Sequence, residues 1–231
     1  MSNKPRQCVL CAKELSARDV FCPDCGFSQQ ERMLVDWEIR KLIERDIIIV
    51  DPILKLEEQL GPVSLDLRLD GFFREFRYME KGVIDITEMV HEHEYYNFKD
   101  LEIDKGKCYY LQPGKMVLGQ SFEYVKLPNF IVAELGGRSS IAKLGIEVHA
   151  TSNQVAPGFS GHITFELKNP GSMGVKLQPL GRIATLTFHL TQKVQAPYKG
   201  KFQNQLRIKP PKPDNDLVKL KEFFQQKNAI P

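Results

Sequence analysis

The chain has 231 residues, of which 42% are hydrophobic and 26% are charged, as in a globular protein with one sizeable domain and a small addition. Its formal net charge of +3 is too small to indicate nucleic-acid binding, which usually requires a clustered basic face. Because no apolar run reaches membrane-spanning length and the N-terminus lacks the apolar core of a signal peptide, we expect a cytoplasmic protein.

Residues 1–30, the first predicted element, contain four of the five cysteines. These cysteines form two CxxC pairs separated by ten residues, and two such pairs can place four thiolates around one ion. We therefore predict a small zinc ribbon, in preference to disulfides or a redox pair. Its structural zinc would supply much of the folding energy, because so short a segment has almost no core. The predicted zinc ligands are Cys8, Cys11, Cys22 and Cys25.

The role of the ribbon is open: it could recruit a protein partner, contact nucleic acid or brace an oligomer. Nucleic acid is disfavoured because acidic residues balance the basic ones in this segment. The fifth cysteine, Cys108, lies in GKCYYLQPG and is interpreted as a small apolar strand residue.

Residues 31–207 are predicted to form a mainly β domain. It begins with a helix over residues 31–46, in which Asp36 is a candidate cap. Short alternating segments then follow, separated by turn signals. VSLDLRL places four apolar residues on one face, beginning with Val63, and ATLTFHL does the same, beginning with Ala184. Many short strands with few helices favour a closed or sandwiched all-β body.

Residues 208–231 are predicted to form a Pro-rich linker, KPPKPDND, followed by a short C-terminal helix. Leu217, Leu220 and Phe224 would form the apolar side of this helix. We expect the helix to dock on its own chain or on a neighbour.

Residues 137–169 hold the densest group of candidate functional side chains. Within GRSSIAKLG, two basic residues and two hydroxyls could form an anion cradle, because cations and hydroxyls complement phosphate oxygens. The same stretch is also compatible with a helix start that is capped by a serine. The candidate anion-binding residues are Arg138, Ser139, Ser140 and Lys143.

The segment HITFEL alternates polar and apolar residues and therefore predicts a strand. Its polar residues His162, Thr164 and Glu166 would share one face, opposite three apolar residues. On this pattern, Glu166 is either a solvated residue or a buried carboxylate that needs polar partners. We interpret His162 as exposed and His149 as a structural hydrogen-bonding histidine.

Four short motifs follow one another in this region: GRSSIAKLG at residues 137–145, VHAT at 148–151, PGF at 157–159 and FEL at 165–167. Together they resemble the signature of the dCTP deaminase branch of the dUTPase-like superfamily. The segments GPVSLDLRLDGFFREF, YYLQPGKMVLG and PYKGKFQNQ are also similar, so the resemblance runs from residue 33 to about residue 206. The ribbon and the C-terminal helix lie outside it.

The resemblance implies a distorted β-barrel of the dUTPase-like type, with a short N-terminal helix, that forms a homotrimer with active sites between subunits. The implied reaction is the zinc-independent conversion of dCTP and water into dUTP and ammonia. By resemblance, Glu166 is the catalytic carboxylate, which takes a proton from the attacking water and passes a proton to the departing ammonia. This shuttle is general acid–base catalysis. Magnesium would accompany the triphosphate.

The resemblance also implies roles for other residues. The loop of Arg138, Ser139, Ser140 and Lys143 would hold phosphates across the subunit boundary. Ser139 and the backbone near Ser152 would position the attacking water, Thr164 would contact the base, and Phe159 would pack against the sugar. The segment implied to fold over the triphosphate contains Tyr198, Lys201 and Gln205.

Two residues depart from the family pattern. Lys143 stands where the family often has arginine, so the charge is kept but the bidentate fork is lost. Ala156 stands where the family usually has an aspartate that holds the 3′-hydroxyl of the sugar and, in dUTPases, activates a water. Because a methyl group accepts neither a hydrogen bond nor a proton, we expect dUTPase activity to be absent.

Two other functions are compatible with parts of the sequence. The loss of the aspartate at Ala156 is consistent with a nucleotide-binding or assembly module without catalysis. The CxxC pairs and HEHE at residues 91–94 could suggest a zinc-dependent deaminase. That class needs H-x-E upstream of P-C-x-x-C, whereas here the cysteines come first and already complete a site. HEHE is therefore interpreted as a solvated loop.

Overall fold

The structure of the chain is a computed structural model that describes residues 6–8, 10–16, 21–22, 24–28, 30–77, 97–211, 219 and 223. The HEHE segment at residues 91–94 and most of the predicted linker and C-terminal helix at 208–231 lie outside the described residues. Within the described ranges, no helix combines the length and the apolar character needed to cross a membrane.

The described part of the chain is mainly β, as predicted, with three short helices. The helices are α1 (Asp36–Glu44), α2 (Leu56–Gln59) and α3 (Ser139–Ala142). The strands are β1 (Arg6–Gln7), β2 (Glu14–Leu15), β3 (Arg32–Met33), β4 (Ile49–Asp51), β5 (Ser64–Arg77), β6 (Asn97–Glu102), β7 (Tyr109–Leu111), β8 (Met116–Lys126), β9 (Ile131–Gly137), β10 (Gln154–Val155), β11 (Ser160–Lys168), β12 (Val175–Leu177) and β13 (Arg182–Leu190).

Nine of these strands form one antiparallel sheet around the core. Its main path is β10-β9-β13-β5-β8-β11, with β3 paired to β13, β4 to β8 and β6 to β5. Two small two-stranded sheets, β1-β2 and β12-β7, lie beside it. The sheet brings β11, which carries FEL, next to β8, and β9, which leads into GRSSIAKLG, next to β13.

Alternation in the strands agrees with the predicted faces in β11 and β13. Leu65, Leu67 and Leu69 of β5 are also buried in the core. Val63, which was expected on the same face, is instead 38% exposed, because it precedes the first residue of β5. Alternation therefore predicted the buried face of the strand but placed its beginning too early.

The helix predicted over residues 31–46 is shorter than expected and begins at Asp36. Arg32 and Met33 are instead paired with the end of β13, so sheet pairing overrides the helical pattern there. Asp36 is not the cap: the N-cap is Val35, whose backbone N–H donates to Oε2 of Glu38 at 3.2 Å. The carboxylate of Glu38 therefore satisfies an amide at the start of the helix that the predicted cap does not.

The N-terminal cysteine segment and the β domain share one hydrophobic core. Leu10 and Phe27 of this segment belong to the same buried cluster as Leu34 and Leu42. The guanidinium of Arg45, just after α1, donates a 2.6 Å hydrogen bond to the backbone carbonyl of Leu10. The segment is thus attached to α1 by apolar packing and by a polar contact.

Candidate active site

A cavity of about 520 Å³ lies between the polar face of β11 and the segment 198–211. Its walls are largely apolar and aromatic, as is common for sites that bind small molecules. Six of the predicted site residues line it: Ser152, Phe159, Thr164, Glu166, Tyr198 and Gln205.

Glu166 reaches the cavity because β11 alternates. Phe165 and Leu167 are completely buried in the core, so the side chain between them must point to the opposite face, where the cavity lies. Oε2 of Glu166 accepts a 2.7 Å hydrogen bond from the backbone N–H of Ala150. Glu166 supplies the only carboxylate among the described residues that line the cavity.

Gln205 ties the C-terminal segment to β11. Its Nε2 donates to Oγ1 of Thr164 at 2.7 Å and to the backbone carbonyl of His162 at 3.2 Å. The backbone of Gln205 approaches Gly161 so closely that a Cβ on Gly161 would lie 2.9 Å from the backbone nitrogen of Gln205. Gly161 also has φ +147°, a conformation that favours glycine. This close approach forms one wall of the cavity.

An aromatic pair lies at another part of the wall. The rings of Phe159 and Tyr198 are 6.0 Å apart and tilted by 52°. The backbone N–H of Tyr198 donates to the carbonyl of Pro157 at 2.8 Å, which holds this part of the segment against the PGF turn. Tyr198 therefore closes the cavity beside Phe159.

Two basic residues line the cavity although they were not predicted as site residues. His162, interpreted from the sequence as exposed, is half-buried on the cavity wall, and its Nδ1 lies 2.9 Å from the carbonyl of Ser121. Lys209, which the sequence placed in a linker, also lines it, and its Nζ donates to the carbonyl of Lys201 at 3.2 Å. Lys201 itself is exposed and does not line the cavity. The sequence carries no local signal for Lys209, because its position depends on how the segment folds back.

The four residues of the predicted anion cradle do not line the cavity that is formed by the same chain. Ser139, Ser140 and Lys143 are exposed on and beside α3, and Arg138 pairs with Asp66 at 2.7 Å. Neither serine caps α3, because its N-cap residue is Arg138. The structure therefore does not bring these four residues to Glu166 within one chain.

Ala156 and His149, two other residues of the signature region, differ in their surroundings. Ala156 lines the cavity, where its methyl group offers no polar contact. Nδ1 of His149 is buried and has no hydrogen-bond partner in the part of the chain that the structure describes. The structural hydrogen bond expected for His149 is therefore absent at this atom.

A further carboxyl group is buried away from the cavity. The side chain of Glu123, on β8, accepts hydrogen bonds from Nε2 of Gln59 and from the backbone N–H of Arg68, both at 2.9 Å. Burial raises the pKa of Glu123 to about 7, although these donors act in the opposite direction. This carboxyl links α2, β5 and β8.

The four N-terminal cysteines form a candidate metal centre. Their sulfur atoms all lie within 4.8 Å of one another, and the Sγ–Sγ distances are 3.6 Å for Cys8–Cys25 and 3.5 Å for Cys11–Cys22. A disulfide needs about 2 Å, whereas a tetrahedron of thiolates around zinc has edges of roughly 3.8 Å. The donor set therefore fits a tetrahedral ion. Cys108 is exposed and lies just before β7, so its interpretation as an apolar strand residue is wrong.

The chain is similar to a known protein family and to individual members of it. A family model described as dCTP deaminase-like matches residues 33–191. The protein named dCTP deaminase, dUMP-forming, from Dictyoglomus turgidum is 39% identical over 178 residues, which is 75% of this chain and 90% of the relative. The protein of the same name from Methanobrevibacter smithii is 36% identical over 189 residues, which is 81% of this chain and 96% of the relative.

The fold also resembles a solved structure. The crystal structure of 2′-deoxycytidine 5′-triphosphate deaminase from Agrobacterium tumefaciens matches with a TM-score of 0.53 at 22% identity. The match covers 70% of this chain and 49% of that chain. At this identity the likeness concerns the fold.

Proposed function

The chain belongs to the dCTP deaminase-like family, and we propose that it is a hydrolase that converts dCTP and water into dUTP and ammonia. The observation that carries this proposal is the carboxylate of Glu166, which lines the cavity and is oriented by the amide of Ala150. The four-cysteine centre belongs to the N-terminal segment. The cavity-lining residues in the described ranges contain one histidine and no cysteine, so they do not form the ligand set of a zinc deaminase.

The proton transfers can be assigned to Glu166. The amide of Ala150 binds Oε2, and Oε1 has no hydrogen-bond partner within the described residues, which leaves it to accept a proton from water. As that proton leaves, the water oxygen bonds to the amino-bearing carbon of cytosine, and the C–N bond then breaks. Glu166 returns the proton to the departing amine, which leaves as ammonia.

Thr164 is suited to contact the base. Its hydroxyl oxygen accepts the hydrogen bond from Gln205, so its own hydrogen is free to donate to an acceptor in the cavity. A carbonyl oxygen of a pyrimidine is such an acceptor. Phe159 and Tyr198 provide an apolar surface for the sugar.

The product is dUTP in this proposal, whereas the relatives from Dictyoglomus turgidum and Methanobrevibacter smithii are named dUMP-forming. Release of dUMP requires a second hydrolysis, at a phosphate, for which the family resemblance implies an aspartate at the position of Ala156. Glu166 is the lone carboxylate in the described lining, so the cavity has no second carboxylate for that step. We therefore assign deamination without pyrophosphate release.

The active site would be shared between copies of the chain in a homotrimer. Within one chain, the cavity offers only Lys209 and His162 as basic side chains among the described residues, which is little charge for a triphosphate. Arg138, Ser139, Ser140 and Lys143 of a neighbouring copy would supply phosphate contacts. The exposed Lys201 would add to them, and magnesium would arrive with the nucleotide.

The metal centre would hold zinc in a structural role. Four thiolates that can surround one ion suit zinc, and the packing of this segment on α1 is consistent with a brace for the β domain. Recruitment of a protein partner through the ribbon remains a separate prediction from the sequence.

The reaction is tested by incubating the purified chain with dCTP and separating dUTP, dUMP and ammonia. Glu166→Gln should lower ammonia release by more than about 100-fold while dCTP binding, measured by isothermal titration, stays nearly unchanged. Glu44→Gln, which alters an exposed carboxylate on α1, is the control. Full activity of Glu166→Gln would refute the proposal.

A second candidate function is favoured by the methyl group of Ala156 in the cavity wall. In this alternative, the chain is a nucleotide-binding or assembly module that has lost catalysis. Binding of dCTP by the wild-type chain without any ammonia release would establish the module and replace the deaminase.

The shared site is tested with hybrid assemblies. Glu166→Gln and Lys143→Ala chains carry two different affinity tags, are co-expressed and are purified through both tags. Each variant alone should be impaired. A hybrid contains sites in which the intact Glu166 of one copy meets the intact Lys143 of another, so its activity should recover. Hybrids as inactive as the parents would refute sites between subunits.

A further inference from the structure

Asp66 pairs with two arginines, Arg138 and Arg182, and Arg138 is the first residue of the predicted anion cradle. Its Oδ2 is 2.7 Å from Nε of Arg138 and 3.3 Å from Nη1 of Arg182. The Asp66 side chain is only 16% exposed. β5 and β13 set this arrangement, because the antiparallel register places Thr185 opposite Asp66 and places Arg182 opposite Arg68, two residues further along β5.

The guanidinium of Arg138 is held at two of its three nitrogens. Nε contacts Asp66, and Nη1 donates to the backbone carbonyl of Arg182 at 3.3 Å. Nη2 has no hydrogen-bond partner in the described ranges, and 28% of the side chain is exposed. Arg138 is also the N-cap residue of α3, which carries the exposed Ser139. The free end of the guanidinium therefore lies where the chain enters the exposed loop.

The charges around Asp66 leave positive charge near this loop. Asp66 is shared by Arg138 and Arg182. Glu58 also faces Arg182, but it pairs with Lys55 and Arg68 as well, so the positive charge of the cluster is only partly neutralised. Burial raises the pKa of Asp66, and the two guanidinium groups act in the opposite direction. Asp66 can therefore fix the position of Arg138 without cancelling the local positive charge.

We propose that Asp66 is a positioning residue that orients Arg138 for the phosphate groups of a nucleoside triphosphate held in the cavity of a neighbouring copy. The proposal rests on the shared active site described above. An arginine that is already fixed loses less side-chain freedom when it binds phosphate, so its contact contributes more to affinity. Asp66 does not touch the nucleotide; it acts through Arg138.

The first test is Asp66→Asn, which removes the negative charge with little change in size. We expect the KM for dCTP to rise about tenfold, because Arg138 must then be ordered during binding, while kcat stays within about twofold. Glu57→Gln is the matched control. It removes an equal charge from a bidentate pair with Arg40, at 2.8 and 2.9 Å, on α2 and α1. Unchanged KM in Asp66→Asn would overturn the proposal.

Hybrid assemblies then separate positioning from a general structural effect. In trimers of one Asp66→Asn chain and two Glu166→Gln chains, separated by their number of tags, the one active site takes its loop from a Glu166→Gln chain with an intact Asp66, so KM should return to the wild-type value. In hybrids of Asp66→Asn with Lys143→Ala, every loop is altered and KM should stay raised. A raised KM in the first hybrid would overturn the role of Asp66.

The hybrids of Glu166→Gln with Lys143→Ala and a second variant of Asp66 complete the test. If hybrids of Glu166→Gln with Lys143→Ala are inactive, the shared site fails and the role of Asp66 fails with it. If they are active, only the Asp66 hybrids decide. Should Asp66→Asn not assemble, Asp66→Glu replaces it, because it keeps the charge but displaces the carboxylate. Wild-type KM for Asp66→Glu in every combination would overturn the proposal.

Discussion

The backbone amide of Ala150 donates a 2.7 Å hydrogen bond to the carboxylate of Glu166, across the gap between the VHAT segment and β11. The amide binds Oε2 and leaves Oε1 available to the attacking water. The VHAT segment therefore has a physical role in the proposed catalysis.

This contact leads to a prediction for Glu166→Asp. The shorter side chain keeps the charge but is unable to reach both the amide of Ala150 and the position of the attacking water. We expect kcat to fall about 100-fold, with KM changed only a few-fold, as measured by ammonia release under saturating dCTP. Equal activity of Glu166→Asp and wild type would show that the carboxylate needs no such placement.

Gly161→Ala should detach the C-terminal segment from β11. A Cβ at this position would lie 2.9 Å from the backbone nitrogen of Gln205, and φ is +147°. The strain should cost about 1–3 kcal/mol, raise KM for dCTP and expose residues 198–211 to limited proteolysis. Gly136→Ala is the control, because its Cβ would meet Thr185 at an ordinary 3.6 Å. A wild-type digestion pattern for Gly161→Ala would contradict this prediction.

The cysteine centre should bind about one zinc ion per chain. Cys22→Ser should abolish stoichiometric zinc, measured by elemental analysis, and lower the thermal midpoint. Trp37, the one tryptophan of the chain, lies on α1 and should report the change by its fluorescence. Cys108→Ser, at an exposed cysteine outside the cluster, should leave both readouts unchanged. Zinc retained in full by Cys22→Ser would exclude the four-thiolate site.

Glu123 should make the protein less stable as pH rises. Its pKa is raised by burial from 4.5 to about 7, so between these values the folded chain holds a proton that the unfolded chain has lost. The free energy of unfolding should therefore fall by up to about 3 kcal/mol from pH 4.5 to above pH 7. Glu123→Gln should lose this dependence, so that its stability relative to wild type improves between pH 5 and pH 8. Parallel urea-denaturation profiles would disprove the assignment.

Ala156→Asp should add a second activity. The new carboxylate would line the same cavity as Glu166 and could bind the sugar or activate a water near the phosphates. We expect wild type to release dUTP, and Ala156→Asp to release some dUMP and pyrophosphate, as separated by anion-exchange chromatography. Substantial dUMP from the wild-type chain would show that the aspartate is dispensable for the second hydrolysis.

Local patterns predicted those parts of the fold that depend on neighbouring residues. Alternation in HITFEL placed Glu166 opposite the buried Phe165, and the CxxC spacing predicted four sulfurs that the structure brings together. Both results follow from geometry within a few residues.

Features that depend on distant pairing were missed. The early start predicted for α1 failed because Met33 pairs with His189 at the far end of the domain. Lys209 and His162 could not be assigned to one cavity, because their proximity requires the segment around Gln205 to fold back on β11. No pattern within a short window contains these contacts.

The pairing of β3 with β13 has a consequence for synthesis. β3 is made early and leaves the ribosome beside the cysteine segment, but its partner is the last strand of the sheet. The sheet therefore completes this pairing only after nearly the whole domain has emerged, and such non-local pairing slows folding. Until then, β3 lacks the strand with which it pairs in the folded chain. The four cysteines could bind a metal ion before that pairing forms.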